Sequence, residues 1–172
     1  MELLILGLIL VAVMVYASTR IKKTAAAAFE AETIETDDFI IQKPDGFLNK
    51  LNGDPQFAFE AYSKEFGGPG AENIRQGTAH LKIYEGISVD QAVVNLSDSG
   101  GEFTGDISEV VNEKRYRVIE AKRTEKGVEL RIFYKSAERN AKTYEFEITA
   151  LAETSGEFMR KIETMFAGFE VK

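Results

Sequence analysis

The first feature of the chain is an uninterrupted apolar run at its amino end. The run begins at Leu3, carries no charged side chain as far as Ala17, and contains ten Leu, Ile or Val residues. Each of these favours insertion of a helix into a bilayer by roughly 0.3–0.6 kcal/mol. Continued to Ile21, the run reaches about 28 Å, close to the thickness of the hydrocarbon layer. The pattern predicts one transmembrane helix, an anchor over residues 1–21 in contact with the lipid bilayer.

The flanks of this run predict its orientation. No Lys or Arg precedes it, whereas Arg20, Lys22 and Lys23 follow it, so the positive-inside rule places the rest of the chain in the cytoplasm, with the exported side as the alternative. A cleaved signal peptide is a competing interpretation, because Val15 and Ala17 occupy the two positions that a signal peptidase inspects. The missing basic residues before the run argue against cleavage.

Residues 22–38 are expected to form a tether. Its first part is rich in alanine, which favours helix, so the anchor helix is expected to continue for a turn or two. Its second part, residues 30–38, contains five acidic residues and no basic one. We interpret this part as a solvated connector or a first edge strand, with a site for a cation or a basic partner as the alternative.

Beyond the tether, apolar and polar residues alternate with the period of β-strands. The best alternation places Tyr144, Phe146 and Ile148 on one face and Glu145 and Glu147 on the other. The same logic places alternate residues from Val128 to Tyr134 inward and residues 129, 131, 133 and 135 outward. The carboxyl half is therefore predicted to be an antiparallel meander with one wet face. Strands are predicted over residues 39–43, 56–64, 76–84, 116–121, 128–134, 144–150 and 169–171.

Two segments have helical spacing. Ser88 and Gln91 form a predicted capping box before an apolar stripe, and Thr154 and Glu157 form a second one. Residues 106–112 fit a short helix and a strand nearly equally well, so that segment stays open. The stripes consist of Val89, Ala92, Val93 and Leu96 in the first helix, and of Phe158, Ile162, Met165 and Phe166 in the second, which we expect to be buried in the core.

The order of elements predicts an α+β domain over residues 39–172, with an antiparallel sheet of about five to seven strands and helices packed on it. The first of these strands ends in Pro44-Asp45-Gly46-Phe47. Two further strands, a helix and a long meander follow, and a final helix closes on Phe169-Glu170-Val171. This order of elements resembles that of PsbP-like domains. That resemblance implies an α/β/α sandwich. It also implies an accessory or assembly role beside membrane complexes rather than catalysis.

Charge and composition exclude several classes of function. The net charge is −7, and nucleic-acid binding requires a basic stripe that releases counterions, so a nucleic-acid partner is excluded. The chain has no cysteine, which removes disulfides and thiolate chemistry.

His80 is the only imidazole, so a histidine-based metal cage is excluded, and a Ser-His-Asp triad would need this one ring. It falls on the polar face of a predicted strand, which is typical of a surface histidine. Asp98, Glu102 and Asp106 offer oxygen ligands, but without the spacing of an EF-hand loop. The segment Gly67-Gly68-Pro69-Gly70 is predicted to be a turn, because it lacks the Lys-Ser/Thr of a P-loop.

Two hypotheses follow. The first is a membrane-anchored accessory or binding protein that docks a protein partner or complex near the membrane. The alternative is a hydrolase or cation-dependent enzyme that uses His80 or the carboxylates near Asp98. A cleft in which histidine, acid and serine side chains converge would favour the enzyme. No catalytic, cofactor-binding or metal-ligating residue is assigned from the sequence, and no cofactor is expected.

Overall fold

The computed structural model describes residues 2–50, 53–66, 74–98 and 102–172, with side chains from Leu10 onward except those of Ala25, Ser97 and Asp98. This part of the chain contains three α-helices and ten β-strands. The helices are α1 (Glu2–Ala27), α2 (Val89–Asp98) and α3 (Gly156–Ala167). The strands are β1 (Glu32–Glu35), β2 (Phe39–Lys43), β3 (Leu48–Asn49), β4 (Phe59–Tyr62), β5 (Gly77–Glu85), β6 (Glu102–Val111), β7 (Lys114–Glu125), β8 (Val128–Arg139), β9 (Lys142–Leu151) and β10 (Glu170–Val171).

Helix α1 covers the apolar run for which the sequence predicts an anchor. Among the residues described above, none of the helices combines the length and the apolar character that crossing a membrane requires.

The strands form two antiparallel sheets. The larger has seven strands in the order β3-β4-β5-β9-β8-β7-β6, and the smaller has three in the order β1-β2-β10. Strand β1 lies inside the predicted tether and pairs with β2 from Glu32 to Glu35, so the acidic segment contains the edge strand that was one of its two interpretations. The predicted α+β class and antiparallel sheet are confirmed.

Both faces of the seven-stranded sheet are covered by other elements. On one face, which we call the α3 face, Ile162 and Met165 of α3 and Ile41 of the small sheet join the main core. On the opposite face, the α2 face, Val93 and Leu96 pack against residues of β7 and β8. The sheet is thus the middle layer of three, which agrees with the sandwich that the resemblance implies.

The predicted single wet face is wrong for β8. Phe133 and Lys135 were expected to point into solvent, but they are 8% and 2% exposed. They lie on the α3 face, beside α3, while Ile132 and Tyr134 lie beneath α2. A strand in the middle of a three-layer domain is buried on both sides, and alternation alone does not reveal the second cover.

The structure also shows where the two predicted helices begin and which secondary structure residues 106–111 adopt. Ser88 Oγ accepts a hydrogen bond from the Gln91 amide at 3.2 Å, as predicted. The cap of α3 is Ser155 rather than Thr154, because the Phe158 amide donates to Ser155 Oγ. Residues 106–111, which fit a helix or a strand, belong to β6.

Candidate functional site

His80 lies on β5 at the α2 face, between the carboxylates of the two neighbouring strands. Glu60 of β4 and Glu147 of β9 are its partners in register. The ring stacks on Phe57 with 4.4 Å between centroids, and Nε2 is 3.8 Å from Glu60 Oε1. Burial lowers the pKa of the imidazole, and the raising effect of the two carboxylates is smaller. The ring is therefore neutral at pH 7.

This arrangement does not provide a nucleophile for the ring to activate. Both residues registered beside His80 are acids, whereas a triad needs a hydroxyl or thiol within hydrogen-bond reach of the imidazole. No group of three or more His, Asp or Glu side chains within the described ranges is placed to hold a metal ion. His80 is thus a half-buried histidine braced by an aromatic ring.

The structure describes only part of the carboxylate set near Asp98. The side chain of Asp98 and residues 99–101 lie outside the described part, as does the predicted turn at residues 67–70. Asp106 accepts two hydrogen bonds from the Arg117 guanidinium, at 3.0 and 2.8 Å. These bonds hold the pKa of the Asp106 carboxyl below its usual range. A cation would have to displace Arg117 to use this acid.

A buried carboxyl that sequence reasoning missed lies on β9, two residues before the Glu147 that is registered with His80. Glu145 of β9 was expected to face solvent but is 2% exposed, and Tyr84 Oη donates to its Oε1 at 3.2 Å. Burial raises the pKa of both the glutamate and the tyrosine. The segment before α2 covers this face, because the Thr143 hydroxyl donates to the Ile87 carbonyl. Local alternation contains no signal for that cover.

This burial predicts a pH-dependent effect of Glu145→Gln. A carboxyl whose folded pKa is raised destabilises the fold above the unfolded pKa of about 4.3 and stops doing so below it. The glutamine variant removes the buried negative charge and keeps an oxygen acceptor for Tyr84. We therefore expect its thermal midpoint to exceed that of wild type by a few degrees at neutral pH, and we expect the difference to disappear in acid, where the Glu145 carboxyl is protonated in both the folded and the unfolded chain. The exposed Glu129→Gln is the matched control, and equal midpoints for all three proteins at neutral pH would contradict the burial.

An open groove of about 510 Å³ runs between the β1–β2 hairpin and α3. Several of its charged side chains already pair with one another or with the backbone. Lys161 Nζ is 2.6 Å from Asp45 Oδ2, and the buried Lys43 ammonium donates to the carbonyls of Phe47 and Glu30. Burial lowers the pKa of Lys43. The groove thus holds mixed and locally paired charge, which indicates no particular ligand.

The outer edge of β6 is an exposed candidate binding surface. This strand spans ten residues, is last in the order of the seven-stranded sheet, and pairs only with β7 within the described part of the chain. Ile107 and Val110 are 61% and 68% exposed and point to opposite faces, as their registers with Val118 and Arg115 show.

Edges of this kind are normally protected. Proteins shield them with charged side chains, especially lysine, and with proline, short length or bulges, because unpaired backbone N–H and C=O groups attract another strand. β6 contains neither Lys nor Pro, and the two acids of its regular segment, Asp106 and Glu109, are paired with Arg117 and Lys135 of the same chain. Its one irregularity is a bulge between Phe103 and Gly105, which leaves a regular segment from Gly105 to Val111. The edge is therefore open to pairing with another chain.

Comparison with known proteins identifies the fold. No protein-family model matches the chain, and the search of curated proteins finds no significant match. Among solved structures, cyanobacterial PsbP (CyanoP) from Synechocystis sp. PCC 6803 is 13% identical with a TM-score of 0.58, and the match covers 84% of this chain and 94% of that one. The Saccharomyces cerevisiae Ran-binding protein Mog1p is 11% identical with a TM-score of 0.51, over 83% and 96% of the two chains.

A third similar structure is LpqN, involved in cell envelope biogenesis of Mycobacterium tuberculosis. It is 11% identical with a TM-score of 0.52, and the match covers 83% of this chain and 91% of LpqN. Identities this low establish the fold and nothing further. The chain has the fold of PsbP-like and Mog1-like proteins, which confirms the predicted resemblance at the level of fold.

Proposed function

We propose that this chain is an accessory binding protein, tethered to a membrane, that docks a protein partner by adding a strand of that partner to β6. The observation that carries the proposal is the open β6 edge. Main-chain hydrogen bonds along an exposed edge supply affinity in strand addition, and alternate side chains supply specificity. Ile107 and Val110 would each contact the incoming strand, one on either face of the sheet.

The fold is consistent with such a role. One of the three similar structures is a Ran-binding protein, so this architecture is used at least once to bind another protein. The surroundings of His80 supply paired acids rather than a nucleophile, and no observation favours the hydrolase or cation-dependent enzyme over the binding protein.

The membrane tether rests on the sequence. The run of fifteen uncharged residues from Leu3 to Ala17 belongs to one continuous helix of 26 residues. We assign the lipid contact to this run, from Leu3 to Ile21. The basic residues that follow support a cytoplasmic position of the domain, and the exported side is the outcome that protease accessibility of the domain from outside would reveal.

The docking surface predicts a specific loss of partner. Full-length wild-type chain and the double variant Ile107→Lys/Val110→Lys are captured from native membranes after cross-linking. Lysines on an edge strand oppose pairing, so the double variant should retain on the order of ten-fold less partner, equivalent to about 1.4 kcal/mol.

Two controls make this test decisive. Val94→Lys changes an apolar residue that is 53% exposed on α2 and should retain the partner in full. His80→Ala should also retain it within a few-fold. A loss of function of a hundred-fold or more in any assay of His80→Ala, with stability unchanged, would favour the enzyme hypothesis. Equal retention by the double variant and Val94→Lys, with all variants folded, would refute docking at β6.

A further inference from the structure

The β6 edge is self-complementary. When two copies of a strand pair antiparallel about a two-fold axis perpendicular to the sheet, each residue faces one from the same side of the sheet. With the axis at Ile107, this residue lies opposite its own copy, and Asp106 lies opposite Ser108. Gly105 then faces Glu109, and the regular segment ends there at the bulge. No like charges are opposite one another in this register.

Neighbouring registers are less favourable. An axis at Asp106 or at Glu109 would place two carboxylates directly opposite each other, which is destabilising. An axis at Ser108 would place Ile107 against Glu109 and Asp106 against Val110. Axes at Val110 or Val111 would also join apolar to apolar, but they lie at the end of the strand and leave at most three residues of each copy paired. The register centred on Ile107 joins apolar to apolar at the axis, pairs the whole regular segment and gives the Asp106 carboxylate a hydroxyl donor from Ser108.

Two of the three acids of β6, those in its regular segment, already have cationic partners within their own copy. Asp106 is bound by Arg117 at 2.8 Å, and Glu109 Oε1 is 3.4 Å from the Lys135 ammonium. Their charge is largely compensated before any partner arrives. A basic strand from another protein would gain little from them, and a second copy would suffer little repulsion.

From this complementarity we infer that the partner docked at β6 is a second copy of this chain, with the two β6 strands paired about Ile107. The inference rests on the proposed docking function of the same edge. Two seven-stranded sheets become one continuous sheet, and Ile107 and Val110 of both copies are covered. Anchoring of both copies in one membrane raises their effective concentration for this contact.

The absence of cysteine allows a direct test. Full-length Ile107→Cys chains in native membranes are treated with a short thiol-to-thiol cross-linker. Opposite residues of an antiparallel pair have Cβ atoms about 4.5–5.5 Å apart, so this variant should give on the order of ten-fold more covalent dimer than the exposed control Val94→Cys. Glu109→Cys tests the register, because its two copies are offset along the strands and should cross-link poorly.

A second variant guards against misfolding. Ser108→Cys lies one residue from the axis, within diagonal reach of about 7–8 Å, and should also give dimer. Equal yields from Ile107→Cys, Ser108→Cys and Val94→Cys would overturn self-pairing. If the capture experiment nevertheless depends on Ile107 and Val110, docking at β6 stands with a different partner. If neither experiment depends on the edge, both proposals fail.

Discussion

Truncation of Phe146 to alanine is expected to lower the free energy of unfolding by about 3–5 kcal/mol. Phe146 lies on the central strand β9, is fully buried, and packs against Phe169 with ring centroids 4.8 Å apart and against Phe59 at 6.3 Å. These contacts join the large sheet to the segment that follows α3. The loss is a large part of the roughly 5–15 kcal/mol that stabilises a typical domain.

Urea unfolding of the full-length chain, followed by circular dichroism, measures this effect. Val94→Ala is the control, since truncation of an exposed apolar residue is expected to change stability by no more than about 0.5 kcal/mol. Indistinguishable midpoints for Phe146→Ala and Val94→Ala would contradict the assignment of the α3-face core.

The second large effect concerns the amino-terminal run. Its ten Leu, Ile and Val residues together favour insertion by roughly 3–6 kcal/mol, so the full-length chain should stay in the membrane pellet through carbonate extraction. Deletion of residues 3–17 should move the protein almost entirely to the supernatant.

The matched control for that deletion is Arg20→Ala, which keeps the run intact and should remain in the pellet. A soluble wild-type chain whose amino terminus begins at Ser18 would identify a cleaved signal peptide instead. A soluble chain with an intact amino terminus would show that the run does not insert.

Local patterns predicted the elements whose environment is local. The stripe of α3 was predicted as core from four residues at helical spacing. Ile162 and Met165 are buried, and Phe158 and Phe166 are partly buried against the same core. The inward face of β9 was predicted from the alternation of apolar and polar residues along the strand, and Phe146 and Ile148 are buried. In each case the apolar residues of one element lie on a single face, and that face is the one that packs against the core, so the sequence pattern predicts the burial correctly.

Other features depend on which elements come together, and sequence spacing does not contain that information. Lys135 is buried although it is charged, because α3 covers it and its ammonium lies 4.6 Å from the centre of the Tyr116 ring. Glu145 is buried on the α2 face, where Tyr84 of the neighbouring strand donates to it and the segment before α2 bonds to Thr143 nearby. From the alternation alone, both residues are predicted to face solvent, because the element that covers them is distant in the sequence.

The docking edge was the least predictable part of the site. Ile107, Val110 and Val111 satisfy helical spacing as well as strand spacing, so the segment was ambiguous. That β6 lies at the end of the sheet follows from the order of seven strands drawn from distant parts of the chain. An exposed edge is a property of topology, and only the assembled sheet reveals it.

Hydrogen exchange along β6 is the most direct measure of docking at this edge. The full-length chain and the Ile107→Lys/Val110→Lys variant are compared in native membrane vesicles, with α2 as the internal reference. A docked strand protects amides that otherwise exchange by local opening, so residues 105–111 of wild type should exchange on the order of ten-fold more slowly than those of the variant, while α2 exchanges equally in both. Equal exchange of residues 105–111 in the two proteins would contradict docking at β6.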